Sequence, residues 1–287
     1  MPDLATPSNT IKILNKHNFS VQKKFGQNFL IDRHILEKIV KAAKINKADC
    51  VLEIGPGIGT MTQYLAHHSG KVIAVEIDKK LIPILHETLA DYDNVIIKNQ
   101  DILKTDLLSL VNENNDGKPI KVVANLPYYI TTPIIMLLFE QHIPLESITV
   151  MVQKEVAERI KTGPGSKEYG ALSLAVQYYA RPEIIASVPP ACFIPRPAVS
   201  SAILHLKKHK EPTVTVNDEG FLFGIIRAAF NQRRKTLANA LTNASDLSLA
   251  RSQVTNALKE MGLIESIRGE ALSLIEFALL ADKLGCT

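Results

Sequence analysis

The tetrapeptide Asn125-Leu126-Pro127-Tyr128 puts an amide, a backbone carbonyl beside a proline and an aromatic ring on one short loop. That set suits a flat base bearing an exocyclic amine. The Asn125 side-chain oxygen and the Leu126 carbonyl can each accept one proton of the amine, while Tyr128 stacks on the ring. Accepting both protons steers the nitrogen toward a pyramidal, nucleophilic state and aims its lone pair at an electrophile. A second aromatic, Phe193, lies in Ala191-Cys192-Phe193-Ile194-Pro195-Arg196-Pro197, where two prolines separated by one residue stiffen the loop. Phe193 is expected to face Tyr128 across a flipped-out base. The competing readings are an ordinary turn at residues 125–128 and a core position for Phe193.

A second set of residues suits a nucleotide-like cofactor. The run Cys50-Val51-Leu52-Glu53-Ile54 reads as a strand, followed by Gly55-Pro56-Gly57-Ile58-Gly59-Thr60 and a helical segment. Glycines at alternate positions let the backbone turn tightly and approach a ligand. A dinucleotide fingerprint wants its third glycine at position 60, which is threonine here, so a pyrophosphate cradle is disfavoured. The loop suits a ligand such as S-adenosylmethionine instead. Lys71-Val72-Ile73-Ala74-Val75 then ends in Glu76, 21 residues after Gly55, placed to take both ribose hydroxyls of an adenosine. A third strand, Val95-Ile96-Ile97-Lys98, leads to Asp101, which could accept from an adenine amine. Gly55, Glu76, Asp101 and Asn125 thus fall at the ends of successive strands, which share one edge in a parallel open sheet.

The elements that must hold these residues follow from the pattern. Strands and helices alternate from about residue 51 to 160, which predicts a doubly wound α/β sheet. Residues 33–44 read as an amphipathic helix, 148–152 as a fifth strand, 154–160 as a helix and 171–179 as another. Residues 184–188 and 198–206 predict two strands closing the mostly parallel sheet antiparallel. After Glu211-Pro212 the periodicity becomes helical, with one apolar helix starting near Phe221 and running through Arg233-Arg234-Lys235 to Leu241. The expected division is a flexible arm over residues 1–22, a cofactor-binding catalytic domain over 23–210 and a small all-α domain over 211–287.

With 46% hydrophobic and 22% charged residues among 287, the chain has an ordinary globular composition. Its apolar runs are strand-sized, so no membrane span is expected. Cys50, Cys192 and Cys286 are far apart and form no metal-binding pattern, and they suit reduced thiols in a cytoplasm. The net charge is only +4, but it gathers in clusters. Lys23 and Lys24 precede the catalytic region, and Arg233, Arg234 and Lys235 lie in the helical part, an arrangement that suits a phosphate backbone.

Taken together, these residues resemble the ribosomal RNA adenine dimethyltransferases, in particular the bacterial small-subunit type, from about Lys23 to the end. The markers are Lys24-Phe25-Gly26-Gln27-Asn28-Phe29-Leu30, Glu53-Ile54-Gly55-Pro56-Gly57 and Asn125-Leu126-Pro127-Tyr128. Further ones are Gln153-Lys154-Glu155, Ser166-Lys167-Glu168-Tyr169-Gly170 and Phe230-Asn231-Gln232-Arg233-Arg234-Lys235-Thr236. The resemblance implies a Rossmann-like methyltransferase sheet and S-adenosylmethionine held by Asn28, Leu30, Gly55, Glu76, Asp101 and Asn125. It further implies dimethylation of two adjacent adenosines near the 3′ end of 16S ribosomal RNA, within an assembling small ribosomal subunit and without a metal. The sequence departs from the family at Ser200, where many relatives carry an acid.

Rival readings are a large-subunit adenine methyltransferase of the macrolide-resistance type and an assembly factor acting mainly by binding. A nicotinamide dehydrogenase fits poorly, because the glycine spacing is wrong and no catalytic His or Tyr-Lys pair stands out. Nothing in the sequence demands more than a monomer.

Overall fold

A computed structural model describes residues 3–22 and 25–285. After a first helix α1 (Pro7–Lys16) and a short strand β1 (Phe29–Leu30) come α2 (Arg33–Ala42), β2 (Cys50–Ile54), α3 (Thr60–His68), β3 (Lys71–Glu76) and α4 (Ile82–Thr88). Next are β4 (Val95–Asn99), α5 (Leu107–Asn115), β5 (Ile120–Asn125), α6 (Thr131–Glu140) and β6 (Leu145–Gln153). Then follow α7 (Lys154–Lys161), α8 (Ala171–Tyr179), β7 (Ala180–Val188), β8 (Phe193–Ile194) and β9 (Ser201–Lys208). The chain ends in α9 (Glu219–Asn231), α10 (Leu237–Thr242), α11 (Arg251–Glu260) and α12 (Leu274–Gly285). Two compact units emerge, one from residues 1–157 with 183–208, the other from 158–182 with 209–287.

The first unit is built on a seven-stranded sheet in the order β4-β3-β2-β5-β6-β9-β7. The strands β4, β3, β2, β5 and β6 run parallel, and β9 closes antiparallel on β6. Strands β2, β3 and β5 are near-continuous apolar runs because helices cover both their faces, which is why they show no alternation. The order reverses between β2, whose successor β3 lies on one side, and β5, which lies on the other. Crevices at such reversals, beyond the carboxyl ends of the strands, are where ligands bind in open α/β sheets.

Within the expected flexible arm over residues 1–22, the described residues 3–22 are packed into the first unit instead. Pro7 starts α1, and Leu4 and Leu14 are buried with Phe29, Ile58, Leu81 and Ile84 in one cluster. Lys16 and His17 both pair with Glu87, and Arg33 pairs with Asp3. A polar composition concealed this because α1 buries only a narrow stripe and leaves the rest of its surface to water.

The second unit also departs from the expected boundary at residue 210, since residues 158–182 belong to it. The Tyr178 and Tyr179 hydroxyls both donate to Glu219 at the start of α9. The Tyr179 ring stacks on Phe223 at 5.6 Å, and Tyr178 meets the same ring edge-on at 5.3 Å. Tyr169 donates its hydroxyl hydrogen bond to the Leu272 carbonyl at 3.1 Å. The single helix expected through Leu241 is broken after Asn231. Thr236 caps α10 by accepting from the Asn239 N–H, and Arg233 turns aside to Glu270. Among the described residues no helix is long and apolar enough to cross a membrane.

Candidate active site

A cavity in the first unit opens at the carboxyl ends of β2, β3 and β5, next to the residues that follow β4. Its floor is the turn after β2. Gly55 and Gly57 both have left-handed backbones, φ +71° and +63°, which a side chain would strain. At Gly57 there is a second constraint, because a Cβ would lie 3.1 Å from the Phe29 ring. Glu76, at the end of β3, accepts the Gly57 N–H through one carboxylate oxygen at 3.1 Å and the Asp78 N–H through the other at 2.8 Å. Each oxygen keeps a lone pair for a diol. Burial, with the nearby charge of Asp78, raises the Glu76 carboxyl to about 7 despite those backbone donors.

Asp101 lines the same cavity and caps a 3₁₀ turn by accepting the Leu103 N–H through one oxygen at 3.1 Å, while the other lies 4.0 Å from the Lys104 ammonium. Asn28 and Leu30 close the cavity from the segment before α2. That segment is held by Gln27, whose side chain donates to Asp78 at 2.8 Å and accepts the Gln22 N–H at 2.9 Å.

The Asn125-Leu126-Pro127-Tyr128 loop forms the opposite wall. Asn125 Nδ2 donates to the Asn28 carbonyl at 2.8 Å, which leaves Oδ1 as the amide atom free to accept. The Leu126 N–H is tied to the Met151 carbonyl of β6 at 3.1 Å. Pro127 opens a 3₁₀ turn, and its carbonyl accepts from both the Ile130 N–H and the Thr131 hydroxyl, each at 3.2 Å. The Tyr128 hydroxyl is 2.7 Å from the buried Ser201 hydroxyl at the start of β9, so the ring is anchored at both ends.

Phe193 is a correction. It does not line the cavity; it is 1% exposed and packs in the core with Leu36, Ile39 and Val123. The reason is local pairing: β8 bonds to β1, with Phe193 opposite Leu30, and that register turns the ring inward. No second aromatic face therefore meets Tyr128 from this loop. Lys23 and Lys24 lie outside the described residues. In the second unit Arg233 donates to Glu270 at 2.6 Å and to the Ser166 carbonyl at 3.1 Å, so it ties that unit together. Arg234 and Lys235 next to it are exposed.

Sequence reasoning passed over Glu53. Glu53 borders the cavity with its side chain wholly buried, and among the described residues neither carboxylate oxygen has a hydrogen-bond partner of good geometry, the Thr62 hydroxyl being the polar group that bears on it. Burial raises this carboxyl to about 8, opposed by the Thr62 hydroxyl and reinforced by the charge of Glu76. The Thr60 hydroxyl, also on the lining, is likewise unpartnered. A lone acid within the apolar run Cys50–Ile54 was the available signal. An orphaned buried carboxylate in a cavity wall is costly unless a ligand completes it, and a cationic group is the natural complement. Exposed Ile77, between Glu76 and Asp78, adds an apolar surface for a flat ring.

A doubly wound sheet that brings a glycine turn, a buried acid and a loop with a free amide oxygen to one edge has the layout of a transferase that passes a group from a nucleoside cofactor to an acceptor. A family model described as ribosomal RNA adenine dimethylase matches residues 18–277, and the chain belongs to that family. It is 62% identical over 283 residues to the ribosomal RNA small subunit methyltransferase A of Lachnoclostridium phytofermentans, with 98% of each chain covered. It is 49% identical over 284 residues to the protein of that name from Bacillus licheniformis, covering 98% of this chain and 97% of the other. Among solved structures, a dimethyladenosine transferase from Plasmodium falciparum superimposes with a TM-score of 0.70 at 26% identity, covering 88% and 95% of the two chains. The 23S rRNA methyltransferase ErmE does so with a TM-score of 0.65 at 25% identity, covering 90% and 100%.

Proposed function

We propose that the chain dimethylates the exocyclic amines of two adjacent adenosines near the 3′ end of 16S ribosomal RNA, acting as a monomer in the cytoplasm on an assembling small subunit. The observation that carries the chemistry is Asn125, its Nδ2 anchored to Asn28 and its Oδ1 free, in the wall of a cavity floored by Gly55 and Glu76. The near-full-length identity to small-subunit enzymes, against 25% to the large-subunit enzyme ErmE, supports the substrate.

The methyl donor is S-adenosylmethionine, whose sulfonium supplies an electrophilic methyl group when bound. The cavity suits it. Glu76 would take the ribose hydroxyls, Ile77 and Asp101 the adenine, and Gly55 and Gly57 allow close backbone approach. The orphaned Glu53 carboxylate would meet the cationic methionine end. Asn28 and Leu30 close the wall.

Asn125 Oδ1 and the Leu126 carbonyl hold the target amine, and Tyr128 grips the base, a stacking contact worth about 1–3 kcal/mol. Orientation of this kind can lower a barrier by roughly 7–11 kcal/mol at best. No histidine or lysine lines the cavity among the described residues, in keeping with a transfer that needs no strong base. For the second methylation the Asn125 contact must survive loss of one N–H.

Incubation with labelled S-adenosylmethionine and either unmethylated small subunits or large-subunit RNA, followed by nucleoside identification, tests the substrate. Dimethyladenosine from small subunits alone is expected. Label in large-subunit RNA would reassign the substrate, and no label in either would favour a role in assembly by binding.

A further inference from the structure

We infer that Tyr129 is a stacking platform for the nucleotide next to the reacting adenosine, an inference that rests on the function proposed above. Tyr128 and Tyr129 are consecutive and have opposite commitments. Tyr128 is half-buried and its hydroxyl is engaged with Ser201. Tyr129 is 61% exposed, no hydrogen bond occupies its hydroxyl among the described residues, and its ring stands on the rim of the cavity that holds Asn125.

The ring is supported from behind. Gly26 has no side chain, and its backbone lies close enough that a Cβ there would be 3.5 Å from Tyr129 Cε1. The backbone that bears the ring is fixed by the 3₁₀ turn Tyr128–Ile130 and by the bonds of the Ile130 N–H and Thr131 hydroxyl to the Pro127 carbonyl. A large aromatic that folding leaves in water, on a rigid turn beside the reaction site, fits recognition better than packing.

The substrate chemistry supplies the complement. Turning one base into a pocket breaks its stack with the neighbour and leaves that neighbour's face exposed to water. An aromatic ring at the pocket mouth can replace the lost stack, and aromatic stacking accepts any base. With two adjacent adenosines as targets, whichever occupies the pocket leaves the other as its neighbour. A fixed ring meets the neighbour on one side of the flipped base, so it stacks on the other adenosine in one round and on the flanking base in the other, which stacking accepts equally. Phe193, buried in the core, cannot do this.

The test compares Tyr129→Ala, Tyr129→Phe and Tyr129→Trp with the wild type on unmethylated small subunits. Tyr129→Ala should raise KM for the particle by about tenfold, with kcat and S-adenosylmethionine affinity little changed, and Tyr129→Phe should restore it. The chain has no tryptophan, so Tyr129→Trp places a single indole at the platform. Its emission should be quenched by a short single-stranded RNA centred on two adjacent adenosines, and less so when one of those bases is removed. An unchanged KM in Tyr129→Ala beside an active wild type would overturn this inference alone, as would quenching that ignores base removal. A wild type that transfers no methyl group to small subunits would overturn the functional reading and this inference with it.

Discussion

Glu53 and Glu76 are two buried acids in one cavity, raised to about 8 and about 7 from an ordinary 4.5, chiefly by burial. A cationic ligand favours their ionised forms, so S-adenosylmethionine affinity should rise several-fold from about pH 6 to about pH 9, and Glu53→Gln should flatten the upper part of that rise. Titration calorimetry across that range checks it, and a flat wild-type profile would contradict it. Stability without ligand has the opposite sign. Because the folded-state values are raised, the folded chain keeps protons that the unfolded chain releases above 4.5. These groups therefore destabilise the ligand-free protein progressively as pH climbs through about 7 and 8. Thermal unfolding of the ligand-free protein should show that decline, shallower in Glu53→Gln. Ser201 acts at the same scale through Tyr128. Ser201→Ala leaves a phenol without its anchor, which should cost about 1 kcal/mol of stability and raise KM for the RNA with cofactor affinity unchanged. Steady-state kinetics separate the two effects, and an unchanged KM would show that the anchor does not position the ring.

Helix α1 decides whether the amino-terminal segment is structure or tether. Leu14 is 7% exposed within the cluster under the glycine turn, so Leu14→Ala should destabilise the fold by about 2–3 kcal/mol, measured by denaturant unfolding. No change would restore the picture of a free arm. At this scale much of the fold is legible in the sequence and some is not. The parallel strands β2, β3 and β5 are apolar runs that end at Gly55, Glu76 and Asn125, so the edge that gathers the cavity can be read directly. The antiparallel closure by β9 and the bounds of α8 are equally plain, because β-branching and helical periodicity mark them locally. What is not legible depends on partners distant in the chain. The break between α9 and α10 depends on Arg233 reaching Glu270 and Ser166. The inward turn of Phe193 depends on β8 pairing with β1. Leu4 and Leu14 find their apolar partners in residues 29–84, which a local pattern does not show.

The whole molecule must hold a polyanion as well as a base. Its net charge of +4 is small, so local cations must do most of the binding. Arg234 and Lys235 are exposed while Arg233 is engaged within its own unit. Changing Arg234 and Lys235 to Gln should lower the log–log salt slope of RNA binding by about 1 per cation removed, with thermal stability kept. Arg233→Gln should instead lower stability, because it leaves Glu270 without its partner. Binding titrations at several salt concentrations check the first statement, and an unchanged slope would remove those cations from the RNA surface. The central claim is that one cavity joins the methyl donor to an adenine amine through Asn125. Its most direct test sets the wild type beside Asn125→Ala on unmethylated small subunits, with S-adenosylmethionine affinity measured for both and nucleosides identified over time. Dimethyladenosine from the wild type, a loss of roughly 100-fold in rate for the variant and nearly equal cofactor affinities are the predicted result; turnover retained in Asn125→Ala would contradict it.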